Sequence, residues 1–360
     1  MKYIGLGLVL WSQVASAQYT TFTAAGGGNG DGGFAYNMSA GFRGPVAAPR
    51  GKLYIADAVD RSIRAVNWES AGGLVSTVPL TAGAFKNPID VAEHDGDLYV
   101  LDVQANRIYL VTMSGITPVV GTGAVGDSGD GTLAIHATLN APSSIIFDDR
   151  THTLYIADIN NRMIRSVYQG IITTVAGGLF NINDQDEVPA TESSLNYPYD
   201  MWIDPDGTVT ITTTGKIRQV TPDGIIHTLA EILPIAPLGD IVKIGYTFYV
   251  AGQTNGVIYQ VQPDGSYSIF AGSYGQPGRI SGDGGPPANA VLGGVYKLTT
   301  DGVNLYANDM SNNLVRVFTP QASWPPEGGG TCTVGDMNGD GLIAVTDVIL
   351  LVNQILGAGA

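Results

Sequence analysis

The sequence predicts an all-β protein: a six-bladed β-propeller closed by an N-terminal strand, plus a short C-terminal segment with a Ca²⁺-binding loop and a helix. Three observations support this prediction. A short strand ending in Tyr-x-Ala-Asp recurs along the chain, further strands surround each copy, and one N-terminal strand has no unit of its own. Such repeated units, each too small to bury its own apolar face, are typical of propellers.

The repeated strand defines the blades. Its copies are Leu53–Asp57, Leu98–Asp102, Leu154–Asp158, Phe248–Ala251 and Leu305–Asp309, with a degenerate copy at Val209–Thr213. An inner strand precedes each copy, often after a proline. A turn, a basic or apolar strand and an alternating strand follow it, and the alternation indicates one buried face. Four antiparallel strands form one blade, so six copies predict six blades.

The two ends of the repeat region predict how the ring closes. The last unit stops after Leu314–Phe318 without an outer strand, whereas Tyr19–Ala25 matches an outer strand and has no blade of its own. We expect the N-terminal strand to complete the last blade, because this pairing removes a free sheet edge and joins the first blade to the last.

The repeats resemble NHL repeats of the glycine-rich bacterial form, in which a Gly-Asp-Gly insert precedes the inner strand. The inserts here are Ala25–Gly33, Gly121–Gly131 and Ser281–Gly285. The resemblance implies an NHL-repeat propeller over residues 18–320, a domain that more often presents a surface than catalyses a reaction. We expect the repeated Asp and Arg residues to be structural, and the inserts to offer Ca²⁺ too few ligands for a site of their own.

Residues 1–17 have the order of a signal peptide: Lys2, an apolar run from Ile4 to Trp11, and small residues before Gln18. The run is about half as long as a spanning helix requires. We therefore expect a secreted, extracellular protein, free or attached to the cell surface, and not a membrane-spanning one.

Composition narrows the classes of partner. The chain has 32 acidic and 17 basic residues, a net charge of −15, which disfavours binding to nucleic acid. Cys332 is the single cysteine, so an intramolecular disulfide is excluded and a link between two chains stays open.

The segment after the repeats carries the most specific motif. Residues 321–333 have the composition of a linker, and residues 334–360 contain an EF-hand-type loop followed by an apolar helix. In such loops, positions one, three, five and twelve supply side-chain oxygens and position seven a backbone carbonyl. The predicted Ca²⁺ ligands are Asp336, Asn338, Asp340, Asp347 and the carbonyl of Leu342.

This loop and helix resemble a dockerin type I repeat over Gly335–Leu356. The resemblance implies Ca²⁺ as cofactor, a cohesin-like anchor as partner, and a link to polysaccharide degradation. A complete dockerin has two such repeats, and one is present here. The helix Val345–Leu356 is apolar on two sides, so we expect it to dock on the propeller, on a second copy or on an anchoring protein.

A ligand site is predicted where the inner strands begin around the central channel. Aligning the repeats places one residue of each blade there: Gly44, Asp90, Ser144, Asp200, Gly239 or Asp240, and Lys297. The predicted ligand-binding residues are the polar ones, Asp90, Ser144, Asp200, Asp240 and Lys297. A water-filled channel end without function is the open alternative.

For the whole protein, we expect a non-catalytic binding or scaffolding role with a carbohydrate, peptide or protein ligand. The alternative is a metal-dependent lyase or lactonase acting at the channel. Histidine is a common metal ligand in such enzymes, and none of the four histidines falls at an inner-strand start.

Overall fold

The computed structural model describes residues 19–26, 42–48, 52–67, 74–179, 184–234, 236–274, 285–309 and 314–320, with Gly282 and Asn312. The predicted signal peptide, linker and Ca²⁺ loop with its helix lie outside the described residues, so these predictions are untested. Within the described residues, no helix is both long and apolar enough to cross a membrane.

The described strands form six antiparallel sheets. The N-terminal strand is β1 (Tyr19–Gly26). Blade one contains β2 (Phe42–Ala48), β3 (Lys52–Asp57), β4 (Ser62–Asn67) and β5 (Leu74–Thr77). Blade two contains β6 (Pro88–His94), β7 (Asp97–Asp102), β8 (Arg107–Thr112) and β9 (Gly115–Val120). Blade three contains β10 (Ser144–Asp148), β11 (Thr153–Asp158), β12 (Met163–Tyr168) and β13 (Ile171–Gly177).

The other three blades follow the same order from the channel outwards. Blade four contains β14 (Val188–Pro189), β15 (Asp200–Ile203), β16 (Val209–Thr212), β17 (Lys216–Val220) and β18 (Ile225–Glu231), with β14 as an added outer edge. Blade five contains β19 (Leu238–Ile244), β20 (Thr247–Gly252), β21 (Val257–Val261) and β22 (Tyr267–Gly272). Blade six contains β23 (Leu298–Thr300), β24 (Leu305–Asp309), β25 (Leu314–Pro320) and β1. The predicted six-bladed all-β propeller is confirmed.

The closure of the ring is also confirmed. Strand β1 pairs antiparallel with β25, from Tyr19 opposite Pro320 to Gly26 opposite Leu314, and completes the sheet β1-β25-β24-β23. The first and last parts of the repeat region therefore share one sheet. Opening the ring would expose the edge of β25, which is the physical reason for the closure.

Neighbouring blades bury each other. One core cluster joins Leu101 and Ile108 of blade two to Ile145 and Ile156 of blade three, and Leu139 of the connecting segment completes it. Leu101, Ile108, Leu139 and Ile156 are all inaccessible to solvent. Each sheet thus obtains its apolar environment from the next one.

The repeated aspartate holds the chain where it enters an inner strand. The Asp102 carboxylate accepts the backbone N–H groups of Lys86 at 2.7 Å and Asn87 at 3.0 Å. In blade three, Asp158 accepts the N–H of Asn140 at 2.8 Å. Burial raises the pKa of Asp158 to about 6, although hydrogen bonds from Asn140 and Asn161 oppose the shift.

The repeated arginine holds the insert before its own blade. Arg165 is fully buried, donates to the Thr138 carbonyl at 3.0 Å, and pairs with Asp130 at 2.5 Å. The same carboxylate accepts the N–H of Thr174 at 2.9 Å. One of the two acidic groups of the Gly121–Gly131 insert, that of Asp130, is therefore used in an ion pair that holds the insert.

Candidate functional site

The structure brings the five sequence-predicted channel residues together at one end of the channel. Four lie in inner strands and Lys297 lies directly before β23, and all five are buried, with relative exposures of 2–7%. We call this set the channel floor: Asp90, Ser144, Asp200, Asp240 and Lys297. Their neighbourhood is a property of the fold, because the inner strands of all blades begin at the same end of the channel.

Ser144 joins two of the floor carboxyls. Its Oγ lies 2.8 Å from Oδ2 of Asp90 and 2.5 Å from Oδ1 of Asp200. The hydroxyl has one proton, so it donates to one carboxylate only. Two such contacts are satisfied when the second carboxyl is protonated and donates to Oγ.

Lys297 supplies the cation of the floor. Its Nζ lies 3.2 Å from Asp90 and 3.1 Å from Asp240, and it donates to the Ser143 carbonyl at 3.3 Å. Burial opposes the charged form of Lys297, but the carboxylates of Asp240, Asp90 and Asp200 outweigh burial and raise its pKa. The ammonium therefore keeps its charge inside the protein.

The floor carboxylates also connect neighbouring blades. Each accepts a backbone N–H from an inner strand of the following blade, at 2.8 to 3.2 Å. The pairs are Asp90 with Ile145, Asp200 with Ile241, and Asp240 with Leu298. The floor thus has a structural role, whatever it does for a ligand.

Three carboxyls face one ammonium, so the floor has an excess of acid. Burial raises the pKa of Asp200 and, more strongly, that of Asp240, and Lys297 only partly offsets this. At neutral pH, a proton retained among these carboxyls limits the negative charge that has to be buried. This proton is also what the short contacts of Ser144 require.

A cavity of about 300 Å³ extends from the floor along the inner strands. Its other end is lined by Glu93, Phe147, Asp149, Trp202 and Thr300, which we call the channel mouth. Asp149 is exposed, so the mouth reaches solvent. The volume lies at the lower end of the range for small-molecule sites.

Sequence reasoning missed a cluster beside the mouth. His94 and Asp95 in the inner hairpin of blade two meet Asp149 and His152 in the inner hairpin of blade three. When the repeats are aligned at the starts of their inner strands, no histidine falls at an aligned position. Aligning the inner-hairpin turns instead would have placed the two histidines in adjacent blades.

Comparison with known proteins agrees with the fold. No protein-family model matches the chain, and no curated protein matches it significantly by sequence. The resemblances to NHL and dockerin repeats therefore stay predictions. The chain is similar to many solved structures, three of which are described next.

An auxiliary nutrient binding protein from Bacteroides ovatus has a TM-score of 0.59 and 16% identity, over 85% of this chain and 78% of that one. A streptogramin B lyase has a TM-score of 0.56 and 13% identity, over 85% and 100%. A putative gluconolactonase has a TM-score of 0.55 and 13% identity, over 86% and 94%.

The fold is shared. These neighbours include a binding protein, a lyase and a lactonase-type protein, and at such low identities the likeness shows the fold alone. The predicted Ca²⁺ ligands Asp336, Asn338, Asp340, Leu342 and Asp347 lie outside the described residues and stay predictions.

Proposed function

We propose that the protein is a secreted, non-catalytic binding propeller that takes a carbohydrate or peptide group at its channel mouth. One observation carries this proposal: the acids of the channel floor are already paired with Ser144, with Lys297 and with backbone N–H groups. Groups satisfied in this way hold a shape and an electrostatic potential. They are poorly suited to act as a nucleophile or a general base in a reaction.

The charges of the cavity indicate what it binds. Asp90, Asp200 and Asp240 at the floor and Glu93 and Asp149 at the mouth line the cavity, and one of the lining side chains is the indole of Trp202. These five acids outnumber the single ammonium of Lys297, and a low-dielectric channel with net negative charge attracts positively charged ligands. We therefore propose a neutral or positively charged ligand group that packs against Trp202.

A charge series of peptides tests this proposal. Three peptides of equal length with positive, zero and negative net charge, and a neutral oligosaccharide, are titrated into the full-length protein by calorimetry. We expect the positive peptide to bind better than the neutral one and the negative peptide not to bind. Added salt should weaken the binding of the positive peptide. Equal affinity for the three peptides, or no binding by any probe, would contradict the proposal.

A matched pair of variants locates the binding. Trp202→Phe removes part of an aromatic surface that lines the mouth, and Tyr246→Phe changes an aromatic residue that is 83% exposed outside the cavity-lining set. We expect Trp202→Phe to weaken the bound probe several-fold and Tyr246→Phe to leave it unchanged. Equal effects would place the ligand elsewhere.

The attachment of the protein is a separate proposal. The sequence supports Ca²⁺ binding by the loop Asp336–Asp347 and docking through the helix Val345–Leu356. The full-length protein would be used to capture partners from the secreted fraction of its own cells, with Ca²⁺ or with chelator. We expect chelation to release the captured anchor. Equal recovery in both conditions would contradict a Ca²⁺-dependent attachment.

The enzyme alternative has one observation in its favour. The raised pKa values of Asp200 and Asp240 indicate a carboxyl that keeps its proton beside a cavity, and perturbed acids of this kind are common in active sites. A sugar lactone incubated with the protein and Mg²⁺ or Zn²⁺ would be followed by acid release. Turnover that is lost in Asp200→Asn and kept in Lys216→Met would support the lyase or lactonase alternative.

A further inference from the structure

The inner hairpins of blades two and three present two imidazoles and two carboxylates to each other. Asp95 and Gly96 form the two-residue turn after β6, and both have positive φ, 53° and 89°, as hairpin turns of this length favour. Asp149 and His152 lie in the turn between β10 and β11. We call His94, Asp95, Asp149 and His152 the hairpin cluster. We propose that it binds one transition-metal ion, with Zn²⁺ as the best match.

Three potential ligand atoms lie at the right mutual distances. His94 Nε2 is 3.0 Å from His152 Nδ1 and 3.4 Å from Asp95 Oδ2, and His152 Nδ1 is 3.9 Å from Asp95 Oδ2. Tetrahedral Zn²⁺ with bonds of about 2.0–2.2 Å to nitrogen and oxygen separates its ligands by about 3.3–3.5 Å. An ion therefore fits between the three atoms with side-chain shifts of about half an ångström.

A fourth residue orients the first ligand. Asp149 Oδ1 lies 2.8 Å from Nδ1 of His94, so the carboxylate holds the imidazole proton on Nδ1. The lone pair of Nε2 then faces His152 and Asp95. A carboxylate that fixes the tautomer of a metal-binding histidine is a regular feature of zinc sites.

Packing also holds His94 in place. Its ring stacks on Phe147 with centroids 4.3 Å apart and an interplanar angle of 3°, and its side chain is only 11% exposed. His152 and Asp95 are mostly exposed, with side-chain exposures of 66% and 77%. One preorganised ligand and two adjustable ones allow the cluster to close on an ion without a change in the blades.

The ligand chemistry selects the ion. Two imidazoles and one carboxylate suit Zn²⁺ and the neighbouring late transition metals, whereas Ca²⁺ and Mg²⁺ prefer oxygen ligands. Three protein ligands leave one tetrahedral position to water or to a bound group. Asp149 and Phe147, which hold His94, also line the cavity, so the hairpin cluster lies beside the channel mouth. The metal site goes beyond the proposed binding function and rests on its own contacts.

Metal titration of the full-length protein tests the inference. The protein is stripped with chelator, dialysed, and kept in excess Ca²⁺ so that the predicted C-terminal loop is filled. Co²⁺ is then added as a spectroscopic probe, and Zn²⁺ is added to displace it. We expect one Co²⁺ per chain with the visible absorption of tetrahedral coordination, and its loss when Zn²⁺ binds. Absorption typical of octahedral Co²⁺, without the tetrahedral bands, would overturn the proposal.

Three variants assign the site. His152→Ala removes an exposed ligand, and Asp149→Asn removes the orienting carboxylate while keeping all ligands. His227→Ala is the matched control, because His227 also pairs with a carboxylate, that of Glu187, at 2.7 Å but belongs to no three-residue metal group in the described part of the chain. All variants are checked for unchanged melting temperature without metal.

We expect Asp149→Asn to lower the affinity for Zn²⁺ by about 10- to 100-fold and His152→Ala to lower it at least as much. His227→Ala should leave the affinity unchanged. Zn²⁺ affinity in His152→Ala equal to that of the wild type would overturn the proposal. None of these readouts involves the channel ligand. A failed peptide titration and a failed metal titration are therefore distinguishable results.

Discussion

Replacing Lys297 with methionine tests the electrostatic description of the channel floor. Methionine has a similar length and keeps the packing, but it removes the cation that lies 3.2 Å from Asp90 and 3.1 Å from Asp240. Both carboxyl groups are at most 10% exposed, so water replaces the solvation by the ammonium only in small part. Removing one partner of a buried ion pair costs about 3–5 kcal/mol, because the other charge stays buried.

The size of this loss in the free energy of unfolding, and its dependence on pH, can be estimated from the cost of protonating one carboxyl group. Without Lys297, the folded protein can neutralise the additional negative charge by protonating one floor carboxyl. Holding a proton on a group with an ordinary pKa of about 3.9 costs about 1.4 kcal/mol for each pH unit above that value. The cost is therefore about 4 kcal/mol at pH 7 and about 1.5 kcal/mol at pH 5.

Urea unfolding of the full-length protein at both pH values measures this loss, with circular dichroism and tryptophan fluorescence as probes. Lys216→Met is the control, because Lys216 pairs with Asp184 at 2.7 Å and with Glu231 at 3.1 Å on a partly exposed surface. Such pairs contribute about 0.2–1 kcal/mol. A loss in Lys297→Met below about 1 kcal/mol at pH 7, or an equal loss at both pH values, would refute the reasoning.

Three further predictions address the scaffold. Gly177→Ala is expected to lower the free energy of unfolding by more than about 1 kcal/mol in the same assay, since Gly177 has a φ of 78° and a Cβ would collide with the Arg162 carbonyl; a neutral effect would contradict this. Because burial raises the pKa of Asp158 to about 6, the native state binds this proton more tightly than the unfolded chain does. The free energy of unfolding should therefore fall by about 2 kcal/mol as pH rises from 4 to 7. Asp158→Asn should remove that part of the pH profile, and an unchanged profile would contradict the assignment. Deleting residues 18–26 should lower the melting temperature and promote association through the exposed edge of β25, measured by calorimetry and light scattering; a stable monomer would contradict the closure.

Much of the fold could be predicted because residues with the same structural role recur in most blades. The aspartate of Leu154–Asp158 and the glycine that ends β13 recur at equivalent places, and both fix backbone positions that the fold needs. The pairing of the N-terminal strand was predictable because the strand has no blade of its own and the last blade lacks an outer strand. Repetition exposes architecture, since residues with the same structural role share the same position in every blade.

The site was less predictable for the same reason. In blade five, alignment left Gly239 and Asp240 as alternatives, because the pairing of β19 with β20 shifts between Leu238 and Ile241. The hairpin cluster was missed because His94 ends a strand and His152 precedes one, so neither repeats the position of the other. Only the packing of two neighbouring blades brings them together, and no local pattern records that.

The two ends of the inner strands therefore have different physical constraints. At the floor, burial requires every charge to have a partner. The charges of Asp90, Asp240 and Lys297 are therefore used mainly to stabilise the fold. In the hairpin cluster beside the mouth, Asp95 and His152 are mostly exposed, so their side chains can shift to take an ion at little cost. Substitutions at the floor should then change unfolding more than binding, and substitutions at the mouth the reverse. Measuring the free energy of unfolding and the Zn²⁺ affinity of both Lys297→Met and His152→Ala tests this difference between the channel floor and the hairpin cluster.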